Sequence, residues 1–252
     1  MASNLDRPDQ AAWLKGGEAH CNIAPEAPNH PRRVALLGAP GVGKGTQASL
    51  LARRFGLCHL ATGAVFRDAI NVSECDQTPT MLLALEHMQA GALVPDEIML
   101  NLIVERSRCL RCKGGFVLDG FPRTAKQAEA LEKILTHQDV RLEAVLKYEL
   151  PDDALILRLS GRRTCPACRA VFHLSNRAPQ KPDHCDECGT RLEQREDDRP
   201  QSVWVRLQNY QRTSEPLDVF YRQKGILLSI NAEGSAEEVF ERTLQALQKR
   251  QT

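Results

Sequence analysis

Residues 38–47 read GAPGVGKGTQ, in which four of ten residues are glycine and Lys44 carries the only charge. The apolar run at 34–37 predicts a strand before this stretch, and the spacing of ASLLARRF predicts an amphipathic helix after it. A strand, a glycine-rich turn and a helix in this order form a phosphate-binding loop, because bare backbone N–H groups and a helix N-terminus can surround phosphate oxygens. Lys44 then supplies a point charge for the outer phosphates.

This loop departs from the usual Walker pattern at one position. The spacing Gly38-x4-Gly43-Lys44 fits the pattern, but Gly45 stands where Ser or Thr normally follows the lysine. An ordinary glycine-rich turn is the alternative interpretation, which the flanking strand and helix disfavour. The residues expected to bind the phosphates of a nucleotide are Gly41, Val42, Gly43, Lys44, Gly45 and Thr46.

The bulk composition excludes several classes of protein. A chain of 252 residues is long enough for one large or two small domains with a proper core. Its net charge of +1 provides no global field that would attract nucleic acid or an anionic membrane. The apolar runs are far shorter than the roughly 20 residues of a membrane helix. The nine cysteines are an odd number, which argues against a simple disulfide framework.

The first 32 residues differ in composition from the rest. They contain four prolines and few periodic apolar positions, so we interpret residues 1–32 as a disordered N-terminal extension. No apolar segment follows a basic start, and acidic residues are frequent, so neither a secretory signal nor an organelle-targeting peptide is expected. A cytoplasmic location follows as the expectation.

Short apolar strands alternate with helical patterns from residue 33 onward. Predicted strands cover 34–37, 58–61, 116–118, 144–149 and 226–230, and predicted helices cover 46–55, 95–109, 124–136, 152–162 and 235–250. This alternation is typical of an α/β fold in which helices cover both faces of a parallel sheet. Ligands of such folds bind beyond the carboxyl ends of the strands, where the phosphate-binding loop also lies.

A second motif follows the predicted third strand, where residues 116–123 read FVLDGFPR. In P-loop enzymes an aspartate at the end of an apolar strand orients magnesium beside the phosphates, which is the role expected of Asp119. Gly120 lets a ligand approach the backbone, and Pro122 stiffens the turn that presents Arg123. Helix capping would explain Asp119 alone but not the residues that follow it.

Six motifs together make the sequence resemble the adenylate kinases. They read GAPGVGKGTQ, ATGAVFR, GALVPDE, LDGFPRTAKQ, GRR and REDD, and they occur in the family's order. The resemblance implies a P-loop three-layer α/β/α fold with a five-stranded parallel sheet. It also implies a core of residues 33–161 and 200–252, an NMP-binding helical insertion at 62–93 and a metal-bearing lid at 162–199.

The reaction implied by the resemblance is a reversible phosphoryl transfer in which ATP and AMP give two ADP, with Mg²⁺ accompanying the nucleotide. No general base is needed, because the attacking AMP phosphate is already an anion, so positioning and charge neutralisation carry the catalysis. The expected partners are ATP, AMP and ADP, with no nucleic acid and no membrane, and the chain is expected to be a monomer.

Site residues follow from the same resemblance. Gln127 can read the donor and acceptor edge of adenine, and arginines can grip phosphate in bidentate fashion. Arg158 and Arg162 lie four residues apart, which predicts that both project from one helix face toward ATP. The implied catalytic residues are Lys44, Asp119, Arg123, Arg162, Arg195 and Arg206. The implied AMP-binding residues are Thr62, Gly63, Arg67, Val94, Gly120, Arg123, Gln127, Arg195 and Arg206.

Four of the nine cysteines predict a metal site. Cys165 and Cys168 form one CxxC pair, and Cys185 and Cys188 form a second pair after sixteen intervening residues. Four thiolates at this spacing are typical of structural Zn²⁺, whose closed shell leaves no position for catalysis. A redox pair or disulfides are the alternative, which a reducing cytosol disfavours. In the resemblance this stretch is the lid that closes over ATP and excludes water.

Some positions depart from the family pattern or stay outside it. Ala64 stands where the family usually has an aspartate that helps to order water around magnesium, and Arg199 and Pro200 replace an acidic helix start. A third CxxC pair at 109 and 112 has no partner pair and is interpreted as incidental. His59 is interpreted as a packing residue and not as a ligand.

Three other functions remain open from the sequence. Another nucleoside monophosphate kinase would share the phosphate-binding loop and the DGFPR motif, although Thr62 favours adenine because kinases for pyrimidine monophosphates tend to have alanine there. A zinc ribbon could bind nucleic acid, but the segment between the CxxC pairs has only one Phe, Trp or Tyr residue. A nucleotide-sensing protein without catalysis is the third possibility, because of Ala64.

Overall fold

The computed structural model describes residues 32–63, 78–89, 94–105, 110 and 114–250. Within these ranges the chain forms seven strands and seven α-helices. They are β1 (Arg32–Gly38), α1 (Lys44–Phe55), β2 (Cys58–Ala61), α2 (Pro79–Gln89), α3 (Asp96–Glu105), β3 (Gly115–Asp119), α4 (Ala125–His137), β4 (Ala144–Glu149), α5 (Asp152–Ser160), β5 (Arg162–Thr164), β6 (Val171–His173), α6 (Pro200–Gln223), β7 (Leu227–Asn231) and α7 (Ala236–Lys249).

Five of the strands form one parallel sheet in the order β2-β3-β1-β4-β7. Because successive side chains of a strand point to opposite faces, the central strand β1 contributes to two separate cores. Ala35 and Leu37 pack with residues of α2, α3 and α4, whereas Val34 and Leu36 pack with residues of α1, α5 and α7. The prediction of an α/β fold with a five-stranded parallel sheet covered on both faces is therefore confirmed.

The predicted helix 152–162 is wrong at its C-terminal end. Helix α5 stops at Ser160, and the N–H of Gly161 closes the last turn on the carbonyl of Leu157. Arg162 instead begins β5, which pairs antiparallel with β6 through Arg162 opposite His173. A Cβ on Gly161 would lie 2.4 Å from Nε2 of His173, so the histidine ring would have to shift if residue 161 carried a side chain. Arg158 and Arg162 therefore do not share a helix face.

Residues 162–199, called the cysteine segment below, have a small core of their own. Cys165, Phe172, Cys185 and Leu192 are buried together with Ala170 beside the two-stranded sheet of β5 and β6. This core is far smaller than the two clusters that cover the main sheet. A short 3₁₀ turn at Glu196–Asp198 leads from the cysteine segment into α6.

Several predictions lie partly or wholly outside the described residues. The N-terminal extension is one of them, except that Arg32, its last predicted residue, is the first residue of β1. The third CxxC pair, Ala64 and Arg67 also lie outside the described ranges. Among the residues that are described, no helix combines the length and the apolar character needed to cross a membrane.

Candidate active site

The phosphate-binding loop joins β1 to α1 at the carboxyl edge of the sheet. Lys44 begins α1 and folds back over the loop, where its Nζ donates to the carbonyls of Gly38 at 2.7 Å and Ala39 at 2.9 Å. Gly43 precedes the helix with φ 105°, a left-handed conformation that glycine adopts without strain. A Cβ on Gly41 would lie 2.6 Å from the side chain of Leu159, so the loop also depends on glycine for its close packing on α5.

The charge of Lys44 is poorly solvated in this position. Burial, together with the positive charges of Arg123, Arg206 and Arg162, lowers the pKa of Lys44 to about 8 against the opposing effect of Asp119. Arg123 lies in the loop after β3, Arg162 in β5 and Arg206 in α6. The elements around the loop therefore bring together five of the six predicted catalytic residues, with Lys44 at their centre.

Asp119 ends β3 and faces the start of α1. Burial would raise the pKa of Asp119, but contact with His59 and the positive charges of Lys44 and Arg123 outweigh it, so its pKa lies below the ordinary value. The Nε2 atom of His59 lies 3.7 Å from Oδ2 of Asp119. His59 is thus more than the packing residue that the sequence indicates, since it is an electrostatic neighbour of a predicted catalytic carboxylate.

The glycine that follows Lys44 has a local explanation. A Cβ at Gly45 would lie 3.3 Å from Oδ2 of Asp119, a separation at which the carboxylate would have to move. A serine or threonine at this position would therefore crowd the carboxylate. Thr46, one residue later, lies exposed on the first turn of α1.

Gly120 lies beside two other residues of the predicted AMP site, Thr62 and Arg123. This glycine has φ 89°, and a Cβ on it would lie 2.8 Å from Oγ1 of Thr62 and 3.4 Å from Nη2 of Arg123. Arg123 is held against the same residue, because its Nε donates to the carbonyl of Gly120 at 2.7 Å. Burial and the charge of Arg206 lower the pKa of Arg123. Gly63 directly follows Thr62, and because glycine has no side chain, the backbone is uncovered at this side of the cluster.

Gln127 joins this cluster through the backbone of Arg123. Its Oε1 accepts from the N–H of Arg123 at 2.7 Å, and its Nε2 donates to Oδ1 of Asp96 at 2.5 Å. Asp96 is the first residue of α3 and was not among the predicted site residues. The sequence signal was present, since Asp96 lies within the GALVPDE motif, but its contact with a residue 31 positions away is not visible from spacing. Val94, two residues earlier, packs against the core on this side of the sheet.

Asp198 anchors two of the predicted catalytic arginines and was also missed. Its side chain is completely buried, and it accepts from Nε of Arg162 at 2.6 Å and again from Nη2 of the same guanidinium. Arg206 donates to Oδ1 of Asp198 at 3.3 Å and lies 3.1 Å from Oδ2 of Asp197. The REDD motif therefore contributes acids that orient arginines, in addition to the arginine that the sequence singled out.

The remaining predicted residues divide between the core and the cysteine segment. Arg158 holds the phosphate-binding loop to the last strand, because it donates to the carbonyls of Val42 at 3.2 Å and Ala232 at 2.9 Å. Arg195 donates through Nε to the hydroxyl of Thr164 in β5 at 2.9 Å. The guanidinium of Arg158 thus hydrogen-bonds backbone carbonyls of the loop and of the residue after β7, and that of Arg195 hydrogen-bonds a hydroxyl in β5.

The four predicted metal ligands converge within the cysteine segment. The sulfur atoms of Cys165, Cys168, Cys185 and Cys188 all lie within 4.8 Å of one another. Sγ of Cys165 lies 3.4 Å from Sγ of Cys188, and Sγ of Cys168 lies 3.4 Å from Sγ of Cys185. These distances are well above the ~2.05 Å of a disulfide bond. The CxxC spacing therefore brings together four thiols and not two oxidised pairs.

Comparisons with known proteins agree with this arrangement. The family model described as adenylate kinase matches residues 36–226. The adenylate kinase of Caldicellulosiruptor saccharolyticus is 43% identical over 215 residues, which cover 85% of this chain and 98% of the relative. The adenylate kinase of Carboxydothermus hydrogenoformans is 43% identical over 217 residues, or 86% of this chain and 100% of the relative. The adenylate kinase of Streptomyces avermitilis is 43% identical over 218 residues, or 86% and 97%. The chain therefore belongs to the adenylate kinase family.

Proposed function

We propose that the residues around the phosphate-binding loop carry out the family's reaction in this chain. That reaction is the reversible, Mg-dependent transfer of a phosphoryl group, in which ATP and AMP give two ADP. The observation that supports the assignment of residues is the convergence of Lys44, Arg123, Arg162 and Arg206 beside Asp119. Four cations of this kind match the negative charge of two nucleotides that meet at their phosphates.

The proposed catalysis is electrostatic. Lys44 and the loop backbone bind the phosphates of ATP, and Arg123 binds the phosphate of AMP from the opposite side. Arg162, Arg206 and, from the cysteine segment, Arg195 stabilise the charge that spreads over the transferred group. The fixed hydrogen bonds of Arg162 and Arg206 to Asp198 support this role, since guanidiniums that are already oriented need little reorganisation during transfer.

The nucleotide-binding roles divide along the same line. ATP contacts the loop residues Gly41 to Thr46, and Arg158 contributes by holding this loop from behind. AMP occupies the cluster around Gly120, with Gln127 facing its base. The further AMP-site residues in this proposal are Thr62, Gly63, Arg67, Val94, Arg195 and Arg206.

Magnesium fits the donor set at Asp119. The ion prefers oxygen ligands and usually keeps several waters while it is held by one or two carboxylates and the substrate phosphates. Asp119 provides such a carboxylate, and its lowered pKa keeps it ionised at neutral pH. The ion supplies charge neutralisation between the phosphates of ATP.

Zinc fits the four thiols of the cysteine segment. Four sulfurs ~2.3 Å from a central ion in tetrahedral geometry lie ~3.8 Å from one another. The observed arrangement, with all four sulfurs within 4.8 Å, needs only small side-chain adjustments to reach this geometry. We therefore propose one structural Zn²⁺ held by Cys165, Cys168, Cys185 and Cys188, and we propose that the cysteine segment is the lid that excludes water from the closed site.

The chain is further proposed to act as a cytoplasmic monomer. A Cys₄ metal site suits this location, since thiols stay available as ligands in the reducing cytosol. Fractionation of cells checks the location, and light scattering of the purified protein checks the mass in solution.

A coupled assay of ADP formation from ATP and AMP tests the proposed function directly. We expect turnover that needs magnesium and both nucleotides. Slow ATP hydrolysis without any dependence on AMP would contradict the proposal. Lys44→Ala provides the matched inactive variant, because it removes the charge at the centre of the site.

A further inference from the structure

The side chain of Gln127 is held by two groups of opposite character. Its oxygen accepts from the backbone N–H of Arg123 at 2.7 Å, whereas its nitrogen donates to Oδ1 of Asp96 at 2.5 Å. Gln127 is buried, with only 4% of its surface exposed. The second oxygen of Asp96 accepts from the hydroxyl of Thr124 at 3.4 Å, and this hydroxyl caps α4. Asp96 is thereby fixed from two sides.

These partners determine which end of the amide carries the oxygen. A backbone N–H can only donate a hydrogen bond, and an ionised carboxylate can only accept one. Rotation of the Gln127 amide by a half turn would place its NH₂ against the N–H of Arg123 and its oxygen against the carboxylate of Asp96. Both hydrogen bonds would be replaced by repulsive contacts in a buried place, so the amide has one stable orientation.

An amide held in one orientation presents its hydrogen-bond donor and acceptor to a base in one arrangement only. Once both internal hydrogen bonds are made, Gln127 keeps one N–H and one oxygen lone pair for a ligand. Adenine presents an amino donor at C6, whereas a 6-oxopurine such as guanine or hypoxanthine presents an acceptor there, and the neighbouring ring nitrogen changes in the opposite sense. An amide oriented to hydrogen-bond with adenine therefore places donor against donor and acceptor against acceptor when a 6-oxopurine binds. Only an amide that is free to rotate could hydrogen-bond with both bases.

We propose that Asp96 is a positioning residue that determines the base specificity of the AMP site. It locks the amide of Gln127 in the orientation that accepts adenine and rejects 6-oxopurines. Asp96 acts through Gln127 and does not touch the base. This inference rests on the proposed role of Gln127 in reading the base of AMP.

The test is the ratio of kcat/KM for AMP to kcat/KM for IMP in Asp96→Asn. The substituted amide can turn its NH₂ toward Gln127, which removes one of the two contacts that forbid the turned orientation. We expect the AMP to IMP ratio to fall by about tenfold, as a buried hydrogen-bond mismatch is relieved for IMP. The KM for ATP should stay unchanged. Both rates are measured on one preparation, so any unfolded fraction cancels from the ratio.

Two further variants make the result decisive. Glu97→Gln removes the same charge from the first turn of α3 at an exposed position. The ratio of kcat/KM for AMP to kcat/KM for IMP in this variant should equal that of the wild type. Gln127→Leu should lose the preference for AMP whatever residue stands at 96. An unchanged ratio in Asp96→Asn, with the preference lost in Gln127→Leu, would overturn the role of Asp96 and leave the proposed function intact. A wild-type protein that does not phosphorylate AMP would overturn the proposed function itself.

Discussion

The main sheet and the cysteine segment are stabilised in different ways. The sheet buries two apolar clusters, one on each face, and its strands place the phosphate-binding loop, Asp119 and Arg123 at one edge. The cysteine segment has two strands of three residues and a core of five buried residues, two of which are cysteines. Hydrophobic burial is sufficient for the first region. For the second region, a metal held by four thiolates can supply ~10–16 kcal/mol, which exceeds what so small a core can contribute.

This contrast also separates the two sides of the reaction. Apart from Arg195, the described groups proposed to bind AMP and the inner phosphates are attached to the large core, whereas Arg162 and Arg195 belong to the cysteine segment. Damage to the segment should therefore impair phosphoryl transfer and the use of ATP more than the binding of AMP. Damage within the sheet edge should abolish turnover without unfolding either region.

The largest effect is expected at the sheet edge. Lys44→Ala should lower kcat by about 10²–10³-fold, since removal of one preorganised donor to the transferred group typically has this cost. Arg123→Ala should have a comparable effect for the same reason. Steady-state kinetics measure the loss, and circular dichroism checks that the fold is retained.

Arg53→Ala is the matched control for Lys44→Ala. Arg53 is exposed in the last turn of α1 and carries the same charge on the same helix. Its removal should leave kcat within a factor of about two, because exposed charges contribute little. Near-normal turnover in Lys44→Ala would remove the lysine from the mechanism.

The next effect concerns the cysteine segment. Cys185→Ser removes one of four thiolates and should abolish stable metal binding, which lowers the unfolding temperature of the segment and raises the KM for ATP more than the KM for AMP. Leu192→Ala provides a comparison, because it opens a cavity of the usual Leu→Ala cost, about 2–5 kcal/mol, in the same core but removes none of the four thiols.

The metal content should distinguish these two variants. Leu192→Ala should retain about one metal ion per chain, and Cys185→Ser should not. Equal losses of stability with full metal content in both variants would show that the segment depends on its apolar core and not on the ion.

A smaller effect is expected from pH. The pKa of Lys44 is about 8 in the nucleotide-free protein, so at higher pH the lysine must take up a proton before it can neutralise phosphate. ATP affinity should therefore fall by about tenfold between pH 7 and pH 9, if only the charged lysine binds. Calorimetric titration in buffers of different ionisation enthalpy measures both the affinity and the proton uptake.

The stability of the fold should respond to the same lysine in the opposite direction. Because the folded pKa lies below the ordinary 10.5, the unfolded chain binds more protons between pH 8 and pH 10.5. The contribution of Lys44 to the free energy of unfolding therefore rises with pH in this window. A variant Lys44→Ala whose free energy of unfolding depends on pH as the wild type's does between pH 8 and pH 10.5 would contradict this assignment.

The smallest effect is expected for Ala64→Asp. In the family pattern a carboxylate at this position helps to order the water around magnesium, so we expect the substitution to tighten apparent Mg²⁺ binding or raise turnover modestly. The measurement is the turnover of the variant and of the wild type as a function of Mg²⁺ concentration, at a fixed ATP concentration. Superimposable curves would show that alanine at this position has no consequence.

Much of the fold was predictable because it depends on local patterns. The strands at 58–61 and 144–149 agree with the prediction at both ends. The end of α5 was predicted two residues too late, although Gly161, which directly follows the helix, is a common helix-ending signal. Periodicity alone carried the helical pattern two residues too far.

The candidate site shows the same limit. Lys44 and the four cysteines could be predicted, because they belong to motifs whose residues are close in sequence or regularly spaced. Asp96 and Asp198 do not, since their hydrogen bonds to Gln127 and Arg162 span 31 and 36 residues. Residues that orient other side chains are recognised by contacts across the fold, which a single sequence does not contain.

The most direct test of the contrast between the two regions is hydrogen exchange with and without a strong chelator, after elemental analysis of the purified protein. We expect about one metal ion per chain, and on chelation faster exchange throughout residues 162–199 while the amides of β1, β3 and β4 keep their protection. A metal-free protein with an equally protected cysteine segment would contradict this account, and so would a loss of protection that is equal in both regions.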